Sequence, residues 1–122
     1  MKIEEIVKIL KAKEIFIPEE IKDFDIEYAG ASDLMSDVLA FSRENMFLIT
    51  GLASPQTITT AAVIGAKGII FARGKEIPNK VIEIAKEFEI TLISTKLSML
   101  MVCVVLHNSG IKDAMGTERE LE

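Results

Sequence analysis

The residues best suited to bind a ligand form a short basic stretch, Arg73-Gly74-Lys75, in an otherwise acidic chain. A guanidinium can hold a phosphate or a carboxylate through two parallel hydrogen bonds, and a glycine lets the backbone approach a ligand closely. The alternative is that both cations are solvated or pair with a neighbour such as Glu76. Both interpretations stay open, because exposed cations are common in turns, yet loops carry function more often than cores do.

A second candidate is the stretch ITGLASPQT at residues 49–57, which runs from an apolar segment into a helix-start signal. Ser54 suits the N-cap position, Pro55 the first helical position, and Thr57 the first turn. A phosphate-cradling loop carries several glycines, whereas this one has only Gly51, and its proline removes a donor that an anion would use. We therefore predict a capped strand-to-helix turn whose Gly51, Ser54 and Thr57 shape the wall of a site.

Thr95 and Lys96 repeat the basic stretch in weaker form after a later apolar segment. The carboxyl ends of parallel strands meet at one edge of an open sheet, where helix N-termini point unpaired amides at ligands. We therefore predict one ligand-binding edge, formed by the loops at residues 30–33, 50–57, 73–76 and 94–98. Its predicted ligand-binding residues are Gly51, Ser54, Thr57, Arg73, Gly74, Lys75, Thr95 and Lys96.

Residues for catalysis or metal binding are poorly represented in the chain. It has one histidine, His107, and one cysteine, Cys103, and neither belongs to a motif that combines a nucleophile, a base and an orienting group. His107 is predicted at a helix C-terminus, where positive charge is favourable, and Cys103 is predicted to be an inert core thiol. We predict no catalytic residues, no metal site and no cofactor, and hence a protein that is not an enzyme.

Length and charge narrow the class of protein. The 122 residues fit one domain, and a net charge of −5, from 14 basic and 19 acidic residues, argues against binding to nucleic acid or to an anionic membrane surface. A single cysteine suits a reducing compartment. The acidic start of the chain does not resemble a signal peptide, and no apolar run reaches the roughly 18 to 20 residues that span a bilayer. We expect a soluble, cytoplasmic protein.

The first third of the chain contains an amphipathic helix and an alternating segment. Apolar residues at helical spacing predict a helix over residues 3–10. Apolar and acidic side chains alternate over residues 23–28, which is typical of a strand near a sheet edge, either parallel to its neighbours or in the opposite sense. Ser32 is predicted to cap a helix that includes residues 34–41.

The remainder alternates regularly between strand and helix. Three short apolar segments, each followed by a helix, indicate parallel strands buried on both faces, with right-handed connections. The sequence therefore predicts an α/β fold with a mainly parallel sheet. The predicted strands are residues 46–49, 68–72 and 90–93, within a single domain whose core covers about residues 30–111 and whose residues 112–122 form a frayed tail.

The last helix carries apolar residues around its whole circumference, from residue 99 to residue 106. A helix without a polar face usually needs a second covering surface. We predict that a second copy supplies it in a twofold homodimer. The alternative is that the helix is wedged between the sheet and the first helix of the same chain.

The span from about residue 30 to residue 111 resembles the DRTGG domain, and more distantly the non-catalytic N-terminal domain of HPr kinase/phosphorylase. The elements TGL-x-x-PQ, RGK and STK in this chain are similar to those of stand-alone DRTGG proteins that accompany iron-only hydrogenase genes. Two motifs differ from the family pattern. Its GDR turn corresponds to Gly51-Leu52-Ala53 here, and its TGG corresponds to Ala72-Arg73-Gly74.

This resemblance implies both a fold and a class of function. The implied fold is a three-layer α/β/α sandwich, like that of the HPr kinase N-terminal domain. The implied function is that of a non-catalytic regulatory module, dimeric, that senses a small anionic metabolite or nucleotide. The alternative is a protein-interaction or assembly subunit of a redox enzyme of the hydrogenase type, with a protein partner and no small ligand.

Overall fold

The computed structural model describes residues 1–116 and shows a six-stranded sheet between two layers of helices. The strands are β1 Lys13–Phe16, β2 Tyr28–Ala31, β3 Phe47–Thr50, β4 Gly68–Phe71, β5 Thr91–Ser94 and β6 Lys112–Asp113. The α-helices are α1 Ile3–Leu10, α2 Met35–Phe41, α3 Pro55–Val63, α4 Asn79–Phe88 and α5 Met99–Asn108, and a 3-10 turn covers Glu19–Ile21.

The sheet has the strand order β1-β5-β4-β3-β2-β6. All neighbours run parallel except β1, which pairs with β5 in the antiparallel sense. Thr50 is in register with Phe71, and Phe71 with Ser94, so the carboxyl ends of β3, β4 and β5 are level. The predicted α/β fold with a mainly parallel sheet is confirmed, and the loops after these strands lie side by side.

Alternate side chains of each strand fill two separate cores, because successive residues of a strand face opposite ways. Ile70 of β4 belongs to the core beneath α1 and α5, together with Leu10 and Val102. Its neighbour Ile69 belongs to the core beneath α2, α3 and α4. Burying one such aliphatic side chain contributes about 1.5–3 kcal/mol. The three-layer α/β/α arrangement predicted from the sequence is confirmed.

The alternating segment at residues 23–28 is not the predicted strand. The N-terminal ammonium of Met1 donates a 2.8 Å hydrogen bond to Asp25, and the N–H of Ile26 donates a 2.7 Å hydrogen bond to the carbonyl of Met1. The segment is therefore tied to the start of α1, and pairing with the sheet begins only at Tyr28. The antiparallel edge strand is β1 instead.

The ordered fold also extends beyond the predicted core limit at residue 111. β6 pairs with β2, the N–H of Ala114 donates a 2.9 Å hydrogen bond to the carbonyl of Ala29, and Met115 packs over Gly30. The prediction of a frayed tail is therefore wrong for residues 112–116. Residues 117–122 lie outside the described part of the chain. Within residues 1–116, no helix is long and apolar enough to cross a membrane.

Candidate functional site

The loops that follow β2, β3, β4 and β5 surround a cavity of about 660 Å³ at the carboxyl edge of the sheet. This volume lies within the range of about 300–1,000 Å³ that is usual for small-molecule sites. The cavity lies at the edge where the sequence predicts ligand binding. Its lining residues are Asp33, Gly51, Arg73, Lys75, Ser98, Met99 and Leu100.

The basic turn after β4 is held in an unusual backbone conformation. Arg73 has φ 70° and Gly74 has φ 65°, both in the left-handed region that glycine tolerates but arginine disfavours. Two hydrogen bonds fix the turn, from the Arg73 N–H to the Leu97 carbonyl at 2.8 Å and from the Gly74 N–H to the Thr95 carbonyl at 2.7 Å. The turn is thus anchored to the loop after β5, while the side chains of Arg73 and Lys75 line the cavity.

Neither Arg73 nor Lys75 forms an ion pair among residues 1–116, although Lys75 lies near enough to Asp33 for its charge to lower the pKa of that carboxyl. Both residues are exposed, and the predicted neighbour Glu76 makes no ion pair with either of them. Two such cations on one rim can bind a phosphate or a carboxylate.

Asp33 supplies a fixed negative charge to the same cavity. Its Oδ1 accepts hydrogen bonds of 2.7 Å from the Gly51 N–H and of 2.7 Å from the Thr50 hydroxyl. The Gly51 N–H is the main reason that the pKa of Asp33 lies below its usual range, and the Thr50 hydroxyl and the charge of Lys75 lower it further, against partial desolvation. Asp33 is therefore a carboxylate at neutral pH, and it ties the end of β2 to the end of β3.

The N-terminus of α5 forms another wall of the cavity. Ser98 is its N-cap, and the Ser98 hydroxyl accepts a 3.3 Å hydrogen bond from the Met101 N–H. No backbone acceptor within residues 1–116 receives the N–H of Met99 or Leu100, which are the first two residues of the helix. Helix N-termini carry partial positive charge, so this wall reinforces the cationic rim.

Ser54 is the N-cap of α3, Thr57 lies in the first turn of the helix, and neither residue lines the cavity. The Ser54 hydroxyl accepts a 3.4 Å hydrogen bond from the Thr57 N–H, and the buried Thr57 hydroxyl donates a 2.7 Å hydrogen bond to the carbonyl of Leu52. The capped strand-to-helix turn predicted from ITGLASPQT is therefore present. Of its predicted site residues, only Gly51 reaches the cavity.

Thr95 and Lys96 also lie outside the cavity lining. Thr95 is only 3% exposed, and its hydroxyl donates a 2.7 Å hydrogen bond to the carbonyl of Leu10 at the end of α1. Lys96 is exposed and lies beside Gly74, where a Cβ added to the glycine would lie 3.6 Å from Cγ of Lys96. The predicted residues that the cavity brings together are thus Gly51, Arg73 and Lys75.

Two lining residues, Asp33 and Ser98, were not among the predicted site residues. Both lie in loops that the sequence places at the ligand-binding edge. Asp33 comes two residues after β2, directly beside the end of β3. Ser98 precedes the last helix and has the residue type of an N-cap, which is a sequence signal for its position at the cavity wall.

Ser32 does not cap α2 as predicted. Its hydroxyl accepts a 3.0 Å hydrogen bond from the N–H of Leu34, and Leu34 itself occupies the N-cap position without a side-chain hydrogen bond. The hydroxyl thus closes a local turn before the helix. This turn directs the following residue, Asp33, toward Gly51.

A second cavity of about 470 Å³ lies where α2, α5, β2 and β6 meet, and both Cys103 and His107 line it. Cys103 is half-buried rather than a core residue as predicted. Burial, followed by the charge of Asp113, raises the pKa of the Cys103 thiol, so the thiol is protonated at neutral pH and is a poor nucleophile. Within the described residues, no three His, Cys, Asp or Glu side chains are grouped so that they could hold a metal ion.

Taken together, the sheet order and the two helix layers define a three-layer α/β/α domain with a mainly parallel sheet. One solved structure with this fold is the crystal structure of the CBS and DRTGG domains of the regulatory region of Clostridium perfringens pyrophosphatase, complexed with the activator diadenosine tetraphosphate. The TM-score is 0.76 at 21% sequence identity, over 95% of this chain and 50% of that one. This chain therefore spans half the length of that neighbour, and the likeness confirms the DRTGG-like fold predicted from the sequence. No protein-family model and no curated protein sequence matches the chain.

Proposed function

We propose that the protein is a non-catalytic regulatory module that binds a small anionic metabolite or nucleotide in the cavity at the carboxyl edge of the sheet. The observation that carries this proposal is that Arg73 and Lys75, which form no ion pair among residues 1–116, lie together on the rim of a cavity that also receives the N-terminus of α5. Two neighbouring cations on this rim contrast with the net charge of −5 of the whole protein.

The structural neighbour supports a regulatory role. That neighbour is a regulatory region crystallised with a nucleotide activator, diadenosine tetraphosphate. The chemistry of Cys103 points the same way, because a thiol with a raised pKa does not supply an activated nucleophile. Ligand binding without turnover is the activity that the geometry of the cavity favours.

Calorimetry tests this proposal directly. The purified protein is titrated with inorganic phosphate, pyrophosphate and a panel of nucleoside mono-, di- and triphosphates. Replacing Arg73 or Lys75 by alanine should weaken binding about 10-fold to 100-fold, because each removes a charge-assisted hydrogen bond. Lys86→Ala, on the exposed surface of α4 outside the cavity, is the control and should bind normally. If none of these anions bound at millimolar concentration, the proposal would be wrong.

The outer face of α5 supports the dimeric part of the proposal. Leu100, Met101 and Val104 are 72%, 44% and 41% exposed, so no other part of residues 1–116 covers them. The alternative of a helix wedged within its own chain does not account for this face. We propose that a second copy covers it, related by a twofold axis.

Light scattering after size-exclusion chromatography tests the dimer. Met101→Glu should give a monomer, because burying an unpaired carboxylate in an apolar interface is strongly unfavourable. The matched control is Val63→Glu, since Val63 is 76% exposed on α3, on the other side of the sheet. A wild-type protein that stayed monomeric at high micromolar concentration would contradict the dimer.

The same exposed face favours a second candidate function, that of an assembly subunit, for example of a redox enzyme, without a small ligand. Here a different protein would cover α5. This candidate predicts a monomeric protein that binds none of the anions in the panel. It also predicts that the protein binds a purified redox enzyme and that Met101→Glu abolishes this binding. A dimer that binds an anion at the cavity would rule it out as the main function.

A further inference from the structure

A carboxylate lies in the same cavity as the two cations, which is unexpected in a site built for a simple anion. Asp33, Arg73 and Lys75 all line it, and the carboxylate is ionised at neutral pH. Its negative charge would repel a free phosphate or carboxylate ligand. A ligand that suits this cavity should therefore combine an anionic group with hydrogen-bond donors.

One carboxylate oxygen of Asp33 accepts hydrogen bonds from its own chain, and the other is free to accept one from a ligand. Both hydrogen bonds that it accepts within residues 1–116 go to Oδ1, from Thr50 and from Gly51. These two bonds orient the carboxylate, so Oδ2 is a positioned acceptor. A carboxylate only accepts hydrogen bonds, and the ligand groups that complement it are therefore hydroxyl or N–H donors.

Gly51 leaves room for about one methyl group beside the Asp33 carboxylate. A Cβ added to Gly51 would lie 3.7 Å from Oδ1 and 3.8 Å from Oδ2 of Asp33, and 3.9 Å from Cε of Lys75. Gly51 is not among the residues with positive φ, so its backbone conformation does not require glycine. The absent side chain leaves a narrow slot between the Asp33 carboxylate and the Lys75 side chain, which a methyl group would fill and where one small ligand group can contact both.

Part of the cavity wall is apolar. It consists of Met99 and Leu100 at the start of α5. A flat aromatic ring can pack on a leucine side chain, and a methionine sulfur makes favourable contacts with aromatic rings. The cavity therefore offers three chemistries: cations, a positioned acceptor and an apolar surface.

These three features correspond to the three parts of a nucleotide. We propose that the cavity is selective for a ribonucleotide, with Oδ2 of Asp33 accepting a hydrogen bond from a ribose hydroxyl beside phosphates held by Arg73 and Lys75. The base then packs on Met99 and Leu100. This inference rests on the proposed function and makes Asp33 the residue that distinguishes a nucleotide from an inorganic anion.

The experiment compares ligands that differ only at the proposed contact. Calorimetry measures the binding of ADP, GDP, CDP and UDP, of the 2′,3′-dideoxy form of the tightest of these, and of inorganic pyrophosphate. The dissociation constant of the ribonucleotide should be at least about tenfold lower than that of its dideoxy form. Asp33→Asn keeps an oxygen for Thr50 and Gly51 but replaces the other acceptor with a donor and removes the negative charge, so it should abolish that difference and tighten pyrophosphate binding.

The outcomes separate this inference from the proposed function. If pyrophosphate bound as tightly as every nucleoside diphosphate, or if the dideoxy form bound as well as the ribonucleotide, the role of Asp33 would be wrong while the anion site stood. If nothing bound, both would fail. The dideoxy comparison uses the wild-type protein, so it decides the question even if Asp33→Asn does not fold.

Discussion

The carboxylate of Asp33 accepts a 2.7 Å hydrogen bond from the backbone N–H of Gly51, 18 residues further along the chain. This bond joins the loop after β2 to the loop after β3, and the Thr50 hydroxyl reinforces it. The same side chain thus stabilises the carboxyl edge of the sheet and presents a charge to the cavity. Stability and ligand recognition at this edge share one residue.

The first prediction concerns the pH dependence of stability. The folded-state pKa of Asp33 is lowered, so its contribution is present above the ordinary carboxyl pKa and is lost as the pH falls toward the folded value. Asp33→Asn should therefore lower the free energy of unfolding at pH 7 by less than about 1 kcal/mol, since the group is largely solvated, and should flatten its decline between about pH 5 and pH 3. Urea denaturation across this range measures it, and parallel curves for the two proteins would contradict it.

The second prediction concerns backbone strain at Arg73. An arginine with φ 70° is disfavoured by about 1 kcal/mol relative to glycine. Arg73→Gly should therefore raise the free energy of unfolding by up to about that amount, while Arg73→Ala should not, although both remove the guanidinium. Both variants should bind an anion more weakly. Equal unfolding free energies for the two variants would show that the strain is not stored in this residue.

The third prediction contrasts two glycines at the same edge. Gly51→Ala should leave the free energy of unfolding nearly unchanged, because its methyl group would make only ordinary contacts at 3.7 Å or more. It should nevertheless weaken nucleotide binding, since the methyl fills the slot beside Asp33. Gly74→Ala should destabilise the fold by about 1 kcal/mol, because Gly74 has φ 65°. Urea unfolding and calorimetry on both variants check this contrast, and the reverse order of stability would contradict it.

Much of this edge follows from the sequence, and the rest depends on how loops close. Strands β3, β4 and β5 are continuous apolar segments buried on both faces, so their positions are predicted to within a residue. Because these strands are parallel and in register, Gly51 and Arg73 must lie at the same edge of the sheet, and this follows from the sequence alone. Thr57 and Thr95 are polar loop residues that point away from the cavity. Residue type alone does not distinguish them from polar residues that point into it.

The sheet edges were harder to predict for a different reason. Ile26 is buried, and this is why apolar and acidic residues alternate around it. It is buried against the N-terminus of the chain, however, and not within the sheet. β6 is only two residues long, and both Lys112 and Asp113 are exposed, so it has no apolar signature. Short edge strands are defined by one row of backbone hydrogen bonds, which side-chain patterns do not report.

The fourth prediction separates structure from ligand binding at Thr95. Thr95→Val keeps the shape of the side chain but leaves the buried carbonyl of Leu10 without its donor. It should lower the free energy of unfolding by about 1–3 kcal/mol and leave anion binding unchanged. Thermal unfolding and calorimetry measure the two effects separately. A variant with normal stability and lost binding would restore Thr95 to the site, as the sequence predicts.

The fifth prediction follows from the position of Leu100, which lines the cavity and also belongs to the exposed apolar face of α5. If a second copy covers this face, a ligand at the cavity contacts a residue that the dimer orders. Binding and dimerisation should then be coupled, and by thermodynamic linkage the same factor must appear in both equilibria. Coupling of this kind typically amounts to about 5-fold to 150-fold.

Sedimentation equilibrium with and without saturating nucleotide measures one side of this linkage, as a change in the dimer dissociation constant. Calorimetry on the monomeric Met101→Glu variant measures the other side, as a change in ligand affinity, because Met101 does not line the cavity. The Val63→Glu protein, altered on the opposite layer, should keep both wild-type values. Unequal factors would mean that the Met101 substitution perturbs the site directly. A dimer constant that is unaffected by nucleotide would show that α5 does not transmit ligand binding to the second copy.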